Sequence, residues 1–213
     1  KKDDNYAELA IDYLKNKKIK LKAIYVEKKD FKILKKLNWQ GDYIISYLCP
    51  FLIPSNILKQ AKRLAINFHP GPPEYPGIGC TNYALYNEEK HYGVTCHIMS
   101  SKIDDGEILD VIKFKIRKND NLYSLTMNSY KYMFKLYLKI IKKILVGKDL
   151  KSDINYVWKG EAKTRKQFLK FLELSTDMSK REIKKRIFCT TYPGFQPAHF
   201  HIKGIKFFGD IDE

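Results

Sequence analysis

The residues with the most chemical promise lie between positions 64 and 110. Asn67 and His69 sit two apart in Ala65-Ile66-Asn67-Phe68-His69, an apolar run that reads as a β-strand over 64–69. Side chains alternate along a strand, so Ala65, Asn67 and His69 share one face while Leu64, Ile66 and Phe68 share the other. An Asn and a His thus emerge together at the carboxyl end of a strand, where open α/β sheets hold their ligands. A second strand, over 93–99, delivers Ser100-Ser101-Lys102-Ile103-Asp104-Asp105-Gly106-Glu107-Ile108. If the two strands are neighbours, an Asp from this loop reaches His69. An amide that can donate to a developing oxyanion, an imidazole that titrates and a carboxylate that orients and charges it make equipment for acyl transfer. No Gly-x-Ser-x-Gly elbow is present, and Cys80 and Cys96 lack an evident base in sequence. The acceptor is then expected to be an amine of the substrate. Taken singly, a His at a strand end is more often structural and Asp-Gly is a common turn; the three residue types together carry the reading.

Between these strands runs Pro70-Gly71-Pro72-Pro73-Glu74-Tyr75-Pro76-Gly77-Ile78-Gly79, too rich in Pro and Gly for helix or strand and therefore a shaped loop. The elements around it follow from periodicity. Helices are expected over 5–18 with Asp4 as N-cap, over 31–37, from an Asp120 cap to about 146 with Gly147 as stop, and over 164–174. Ser179-x-x-Glu182 has capping-box form and opens another. Further strands are expected over 21–26, 43–48 and 111–117, and a terminal hairpin over 199–203 and 205–208. This order predicts an α/β fold with a Rossmann-like, mostly parallel sheet and a small C-terminal α+β subdomain ending in a β-hairpin. The division falls at 1–148 and 149–213. No strand precedes the first helix and the chain begins without Met, so a missing N-terminal piece is expected.

The 213 residues carry a formal charge of +16, drawn from 35 Lys and only five Arg. Base-edge and phosphate recognition favours the planar fork of Arg, so a nucleic-acid-binding module stands as a rival rather than the leading reading. Residues 64–110 carry net −5 and the remainder +21, so the densest chemistry is not basic. Four Cys show neither CxxC spacing nor a His at zinc-finger distance; no metal site or disulfide framework is expected, and reduced thiols suit a cytoplasmic setting. The longest apolar stretch, 44–54, is interrupted by Pro50 and far short of a span, so no membrane contact or signal peptide is expected.

Asn67-Phe68-His69-Pro70, the Pro/Gly loop, Gly93-Val94-Thr95-Cys96-His97 and Asp104-Asp105-Gly106-Glu107-Ile108 resemble the folate-dependent formyltransferases. The likeness covers most of 43–147. It implies that Asn67, His69 and Asp104 are the catalytic trio and 10-formyltetrahydrofolate the donor, with Asp104 rather than Asp105 two residues before the Gly. It implies that a substrate amine attacks the formyl carbon while Asn67 and protonated His69 stabilise the oxyanion and Asp104 supports the imidazolium. Phe51, Ile53, Ser101 and Ile103 are the implied folate contacts. The wording of 72–80 resembles the nucleotide-sugar N-formyltransferases, which implies a dTDP-linked 4-amino-4,6-dideoxyhexose as acceptor, a role in lipopolysaccharide O-antigen synthesis, and a homodimer joined through the hairpin. Tyr75, Gly77 and Tyr192 are then the substrate contacts. Methionyl-tRNA and glycinamide ribonucleotide remain alternative acceptors. Trp39 and Trp158 read as core; His91, His97, His199 and His201 as structural or surface; Cys80 as incidental.

Overall fold

The computed structural model describes residues 4–26 and 37–209. Helix α1 (Asn5–Lys15) is opened by Asp4, whose carboxylate accepts from the N–H groups of Tyr6 and Ala7. It ends earlier than position 18 because Lys18 takes a left-handed φ of 52°. The segment 21–26, expected as a strand, has no ladder partner among the described residues and is irregular. A β-rich composition makes a strand only where another strand offers its N–H and C=O groups. The helix expected over 31–37 lies outside the described residues, save Leu37.

Four strands form the main sheet in the order β1 (Gly41–Tyr47), β2 (Ala61–His69), β3 (His91–Ile98) and β4 (Ile108–Lys115). The α/β formyltransferase-type fold is as expected, but the described sheet is mixed rather than mostly parallel: β1 and β2 pair parallel, while β2 with β3 and β3 with β4 pair antiparallel. Connection length accounts for only one of the two antiparallel pairs, since the 21 residues 70–90 between β2 and β3 would suffice for a crossover. A crossover carrying α2 (Ser55–Leu58) separates β1 from β2, whereas the nine residues 99–107 between β3 and β4 are too few for a crossover, so that pair closes as a hairpin.

Helix α3 (Cys80–Tyr86) follows the Pro/Gly loop and was not foreseen. Helix α4 (Leu122–Leu145) covers the sheet. Its cap is Asn121, not Asp120: Asn121 accepts from the Ser124 N–H while Ser124 Oγ accepts from Asn121 N–H. Asp120 instead takes the Ser124 hydroxyl and the Arg117 N–H. Leu125, Met133, Leu136, Tyr137, Ile140 and Ile141 recur at helical spacing on its buried face and meet Ile66 and Phe68 of β2 and Val94 and Cys96 of β3 in one core. Ser129 on this same face is fully buried and donates to the Pro70 carbonyl at 2.9 Å, so the core helix reaches the loop.

Helix α5 (Arg165–Leu172) begins at Thr164 but stops before 174, because β5 (Glu173–Leu174) turns extended to pair with β6 (His199–Ile202). Helix α6 (Lys180–Thr190) starts at Ser179, whose hydroxyl accepts from the Glu182 N–H. Strand β7 (Ile205–Phe208) completes a three-stranded sheet, and its hairpin turn at Lys203 and Gly204 has φ of 48° and 80°, the pair of positive values a type I′ turn requires. Leu174, Ile187 and Ala198 form a small cluster of their own, while Phe171 and Cys189 belong to the main core. Asn82 on α3 fastens this part down by donating to the Cys189 carbonyl at 2.8 Å. Among the described residues no helix is long and apolar enough to cross a membrane.

The Asn82 bond is buried at both ends, so losing it strands a carbonyl. Asn82→Ala is expected to cost about 1–3 kcal/mol, read as a lower urea midpoint. An unchanged midpoint would place the attachment of α6 elsewhere.

Candidate active site

Strand β2 does what its alternation requires. Ile66 and Phe68 enter the core and Asn67 and His69 leave the opposite face. Antiparallel pairing sets His97 of β3 directly across from Asn67, which puts its side chain on that face too. The Asn67 amide nitrogen lies 3.1 Å from His97 Nε2. The loop after β3 brings in Asp104 with a left-handed φ of 44°, and the turn is possible because Gly106 lies against β3: a Cβ there would sit 1.8 Å from the Ile98 carbonyl oxygen.

Asp104 binds everything that converges. One carboxylate oxygen is 3.2 Å from His69 Nδ1 and accepts the Gly77 N–H at 2.8 Å; the other is 3.3 Å from His97 Nε2. Burial pushes the Asp104 carboxyl up, but the His69 charge, the hydrogen bond from His97 and the Gly77 N–H together outweigh it and bring the value from 3.8 to about 2. Burial pushes the His69 imidazole down from its usual 6.5, opposed by Asp104 and by the Tyr75 carbonyl. Burial thus works against a proton on His69 while the charged carboxylate beside it works for one. Both its nitrogens nevertheless face oxygen, Nδ1 towards Asp104 and Nε2 towards the Tyr75 carbonyl at 3.0 Å. A neutral ring serves only one of these and a protonated ring serves both. His97 Nδ1 donates to the Ile98 carbonyl at 2.9 Å, leaving Nε2 for Asn67 or Asp104.

A cavity of about 320 Å³ opens beside these groups, lined among others by Leu48, Phe51, Ile53, Met99, Ser100 and Ile103, together with Asn67, His69, His97 and Asp104. Asn67, His69 and Asp104 are therefore brought together, with Phe51, Ile53 and Ile103 on the same cavity. Ser101 is not among its lining residues; its neighbour Ser100 is. Gly77 lines the cavity and meets Asp104 through its N–H, and its φ of 87° and the Lys163 backbone against it exclude a side chain. Tyr75 reaches His69 through its carbonyl only, since its hydroxyl turns away to Glu89 and Asn87. Tyr192 does not line the cavity and packs between Tyr123 and Phe195.

Two residues read as bland belong here. His97 is buried with its Nε2 within reach of both Asn67 and Asp104. Its place follows from the antiparallel register of β2 and β3, which the mostly parallel sheet expected from the sequence would not have set. Trp158 is not core: it is half-buried, with its ring against both His69 and His97. Its segment has no periodicity from which this could be read. Burial pushes the Cys80 thiol up to about 11, so it stays protonated and is no nucleophile.

The sign of the coupling is testable. Asp104 has a lowered folded-state value, so its contribution to stability is complete above about pH 4 and is lost as pH falls through about 2. Asp104→Asn removes that acid-labile contribution and also removes a group that raises His69. The His69 ring is then expected to titrate at lower pH than in the unmodified protein, followed by its Cε1–H resonance. A higher midpoint would mean that the two do not interact as described.

The chain is similar to several known proteins. The bifunctional polymyxin resistance protein ArnA of Wigglesworthia glossinidia brevipalpis is 32% identical over 161 residues, 73% of this chain and 24% of that protein. The GDP-perosamine N-formyltransferase of Brucella melitensis is 29% identical over 169 residues, 78% of this chain and 63% of that protein. The chain therefore spans less than two thirds of the length of either relative. The N-formyltransferase of Helicobacter canadensis, solved in complex with folinic acid and dTDP-3-aminofucose, shares the fold with a TM-score of 0.70 at 18% identity, over 95% of this chain and 82% of that one. The family model described as Formyl transferase matches residues 7–141, more than half of the chain and the whole of the site built on β2, β3 and the Asp104 loop. The chain belongs to the formyl transferase family.

Proposed function

We propose that this chain is an N-formyltransferase that moves a formyl group from 10-formyltetrahydrofolate to the amino group of a nucleotide-linked amino sugar. The observation that carries the reading is the convergence of Asn67, His69 and Asp104 on one cavity. The acceptor proposed is a dTDP-linked 4-amino-4,6-dideoxy sugar destined for surface polysaccharide. The Brucella relative favours GDP as the second nucleotide to try.

The residues fit a folate. Leu48, Phe51, Ile53 and Ile103 give the cavity apolar walls, and the backbone and hydroxyl of Ser100 and the Asn67 amide give polar points on its rim. The folate supplies the formyl carbon; the chain supplies the rest. Asn67 carries two amide N–H groups, one towards His97 and one for the formyl oxygen as charge builds there. His69, disfavoured by burial from holding a charge, takes the proton that the attacking amine sheds and as an imidazolium faces the oxyanion with Asp104 behind it. The oxyanion then collapses, the bond from the formyl carbon to N10 of the folate breaks, and the proton passes to N10 as tetrahydrofolate leaves. The Tyr75 carbonyl holds the Nε2 position until a substrate oxygen replaces it.

The segment 149–213 is proposed as a subdomain for substrate and dimer contacts in a cytoplasmic homodimer. Tyr192 and the 70% exposed Phe195 offer a face for a nucleobase, and Ile202, Ile205, Phe207 and Phe208 are exposed on the hairpin.

Incubation with 10-formyltetrahydrofolate and dTDP- or GDP-linked amino sugars is expected to add one formyl group to the sugar, read by mass spectrometry. Asn67→Ala is expected to lower kcat about 10²- to 10³-fold, and His69→Ala about 10²- to 10⁴-fold. Absence of product with every amino sugar removes the acceptor assignment, and wild-type rates in both variants remove the mechanism.

A further inference from the structure

Trp158 sits in the irregular stretch between α4 and α5, and that stretch is a strap across the two loops that build the site. At one end the Asp153 N–H donates to the Ile108 carbonyl at 2.7 Å, where the Asp104 loop runs into β4. At the other, Lys159 N–H donates to the Pro73 carbonyl at 2.8 Å and Lys163 N–H to the Pro76 carbonyl at 3.0 Å, while Ile78 N–H donates back to Lys163 at 2.8 Å. The Lys159 ammonium also pairs with Glu74 at 3.2 Å. One segment thus ties the loop holding Asp104 to the loop leaving His69.

In the middle of the strap the Trp158 indole meets both histidines edgewise. Its ring centroid is 5.7 Å from that of His69 at 72° and 5.1 Å from that of His97 at 89°, both within the range of T-shaped contact. Its Nε1–H donates to the Gly106 carbonyl at 2.8 Å, two residues beyond Asp104. Trp158 does not line the cavity whose wall includes His69 and His97, so it backs the two rings rather than facing what the cavity holds.

We infer that Trp158 is a positioning residue that wedges the His69 and His97 rings against Asp104 while its N–H pins the Asp104 loop. The inference deepens the formyl-transfer reading and rests on it for its kinetic consequence. A side chain free to rotate would let either imidazole leave the carboxylate; an indole packed on both removes that freedom. The same ring excludes water from the side of the pair away from the cavity. The groups that face the two histidines, besides each other, are Asp104, Asn67 and the Tyr75 and Ile98 carbonyls. None of these replaces the indole as a wall.

The test has one arm that needs no reaction. In protein labelled at histidine, Trp158→Ala is expected to shift the Cε1–H resonances of both His69 and His97 and to raise the His69 midpoint, because water then reaches a ring that burial holds low. Trp158→Phe keeps the wall and loses the N–H, so the midpoint is expected to stay near that of the unmodified protein. In the kinetic arm Trp158→Ala is expected to lower kcat about 10- to 100-fold with little change in KM for donor or acceptor, and Trp158→Phe to recover most of it. Unchanged imidazole resonances in well-folded Trp158→Ala overturn the proposal, as does a loss that falls entirely on KM. An unmodified protein that transfers no formyl group refutes the function and leaves the resonance arm to decide the positioning.

Discussion

The site depends on one carboxylate with no oxygen to spare. Asp104 receives the Gly77 N–H and faces His69 on one oxygen and His97 on the other, in a pocket where its own side chain is 8% exposed. A buried carboxylate is tolerable only when its lone pairs are matched, and here the matching groups come from three directions. His69 comes from β2, His97 from β3 and Gly77 from the Pro/Gly loop. The left-handed backbone at Asp104, the close approach of Gly106 to β3 and the mixed sheet that sets Asn67 across from His97 all serve that meeting. The charge on Asp104 in turn makes His69 receptive to a proton.

Much of this was legible in order, less of it in space. Alternation along β2 fixes Asn67 and His69 on one face whatever the rest of the sheet does, and the Pro/Gly run could be nothing but a loop. Neighbouring strands bring an Asp of the loop 100–108 towards His69, and the resemblance of its motif singled out Asp104 over Asp105. His97 was missed because its role follows from strand pairing: a mostly parallel sheet would not have set it opposite Asn67. Trp158 carried no local signal, as its position comes from a strap held by backbone hydrogen bonds to residues that are distant in sequence. The strand expected over 21–26 failed for the complementary reason, with suitable residues and no described partner to bond.

The contrast between an acidic block and a basic remainder also has a structural meaning. Glu74 pairs with Lys113 and Lys159, Glu88 with Lys185, and Asp110 with Lys139 and Lys143. Every one of those lysines lies outside residues 64–110. The pairs of Glu74 and Glu88 are at least partly exposed, and such pairs contribute only about 0–1 kcal/mol each. Asp110 on β4, by contrast, is buried, and the two lysines of α4 match a charge that would otherwise be stranded there. An excess of Lys over Arg suits this, since single-point pairing is enough.

The Pro70 carbonyl gathers more donors than a loop carbonyl ordinarily finds. Tyr92 reaches it from β3 at 3.0 Å, Ser129 from α4 at 2.9 Å and the Cys80 thiol from α3 at 3.7 Å. With prolines at 70, 72, 73 and 76, the unfolded chain has little freedom there to begin with, and the folded one has almost none. The disorder that a binding loop usually surrenders when its ligand arrives was surrendered during folding. Whatever enters beside His69 therefore meets a surface already set, and its association carries a small entropic penalty at this loop.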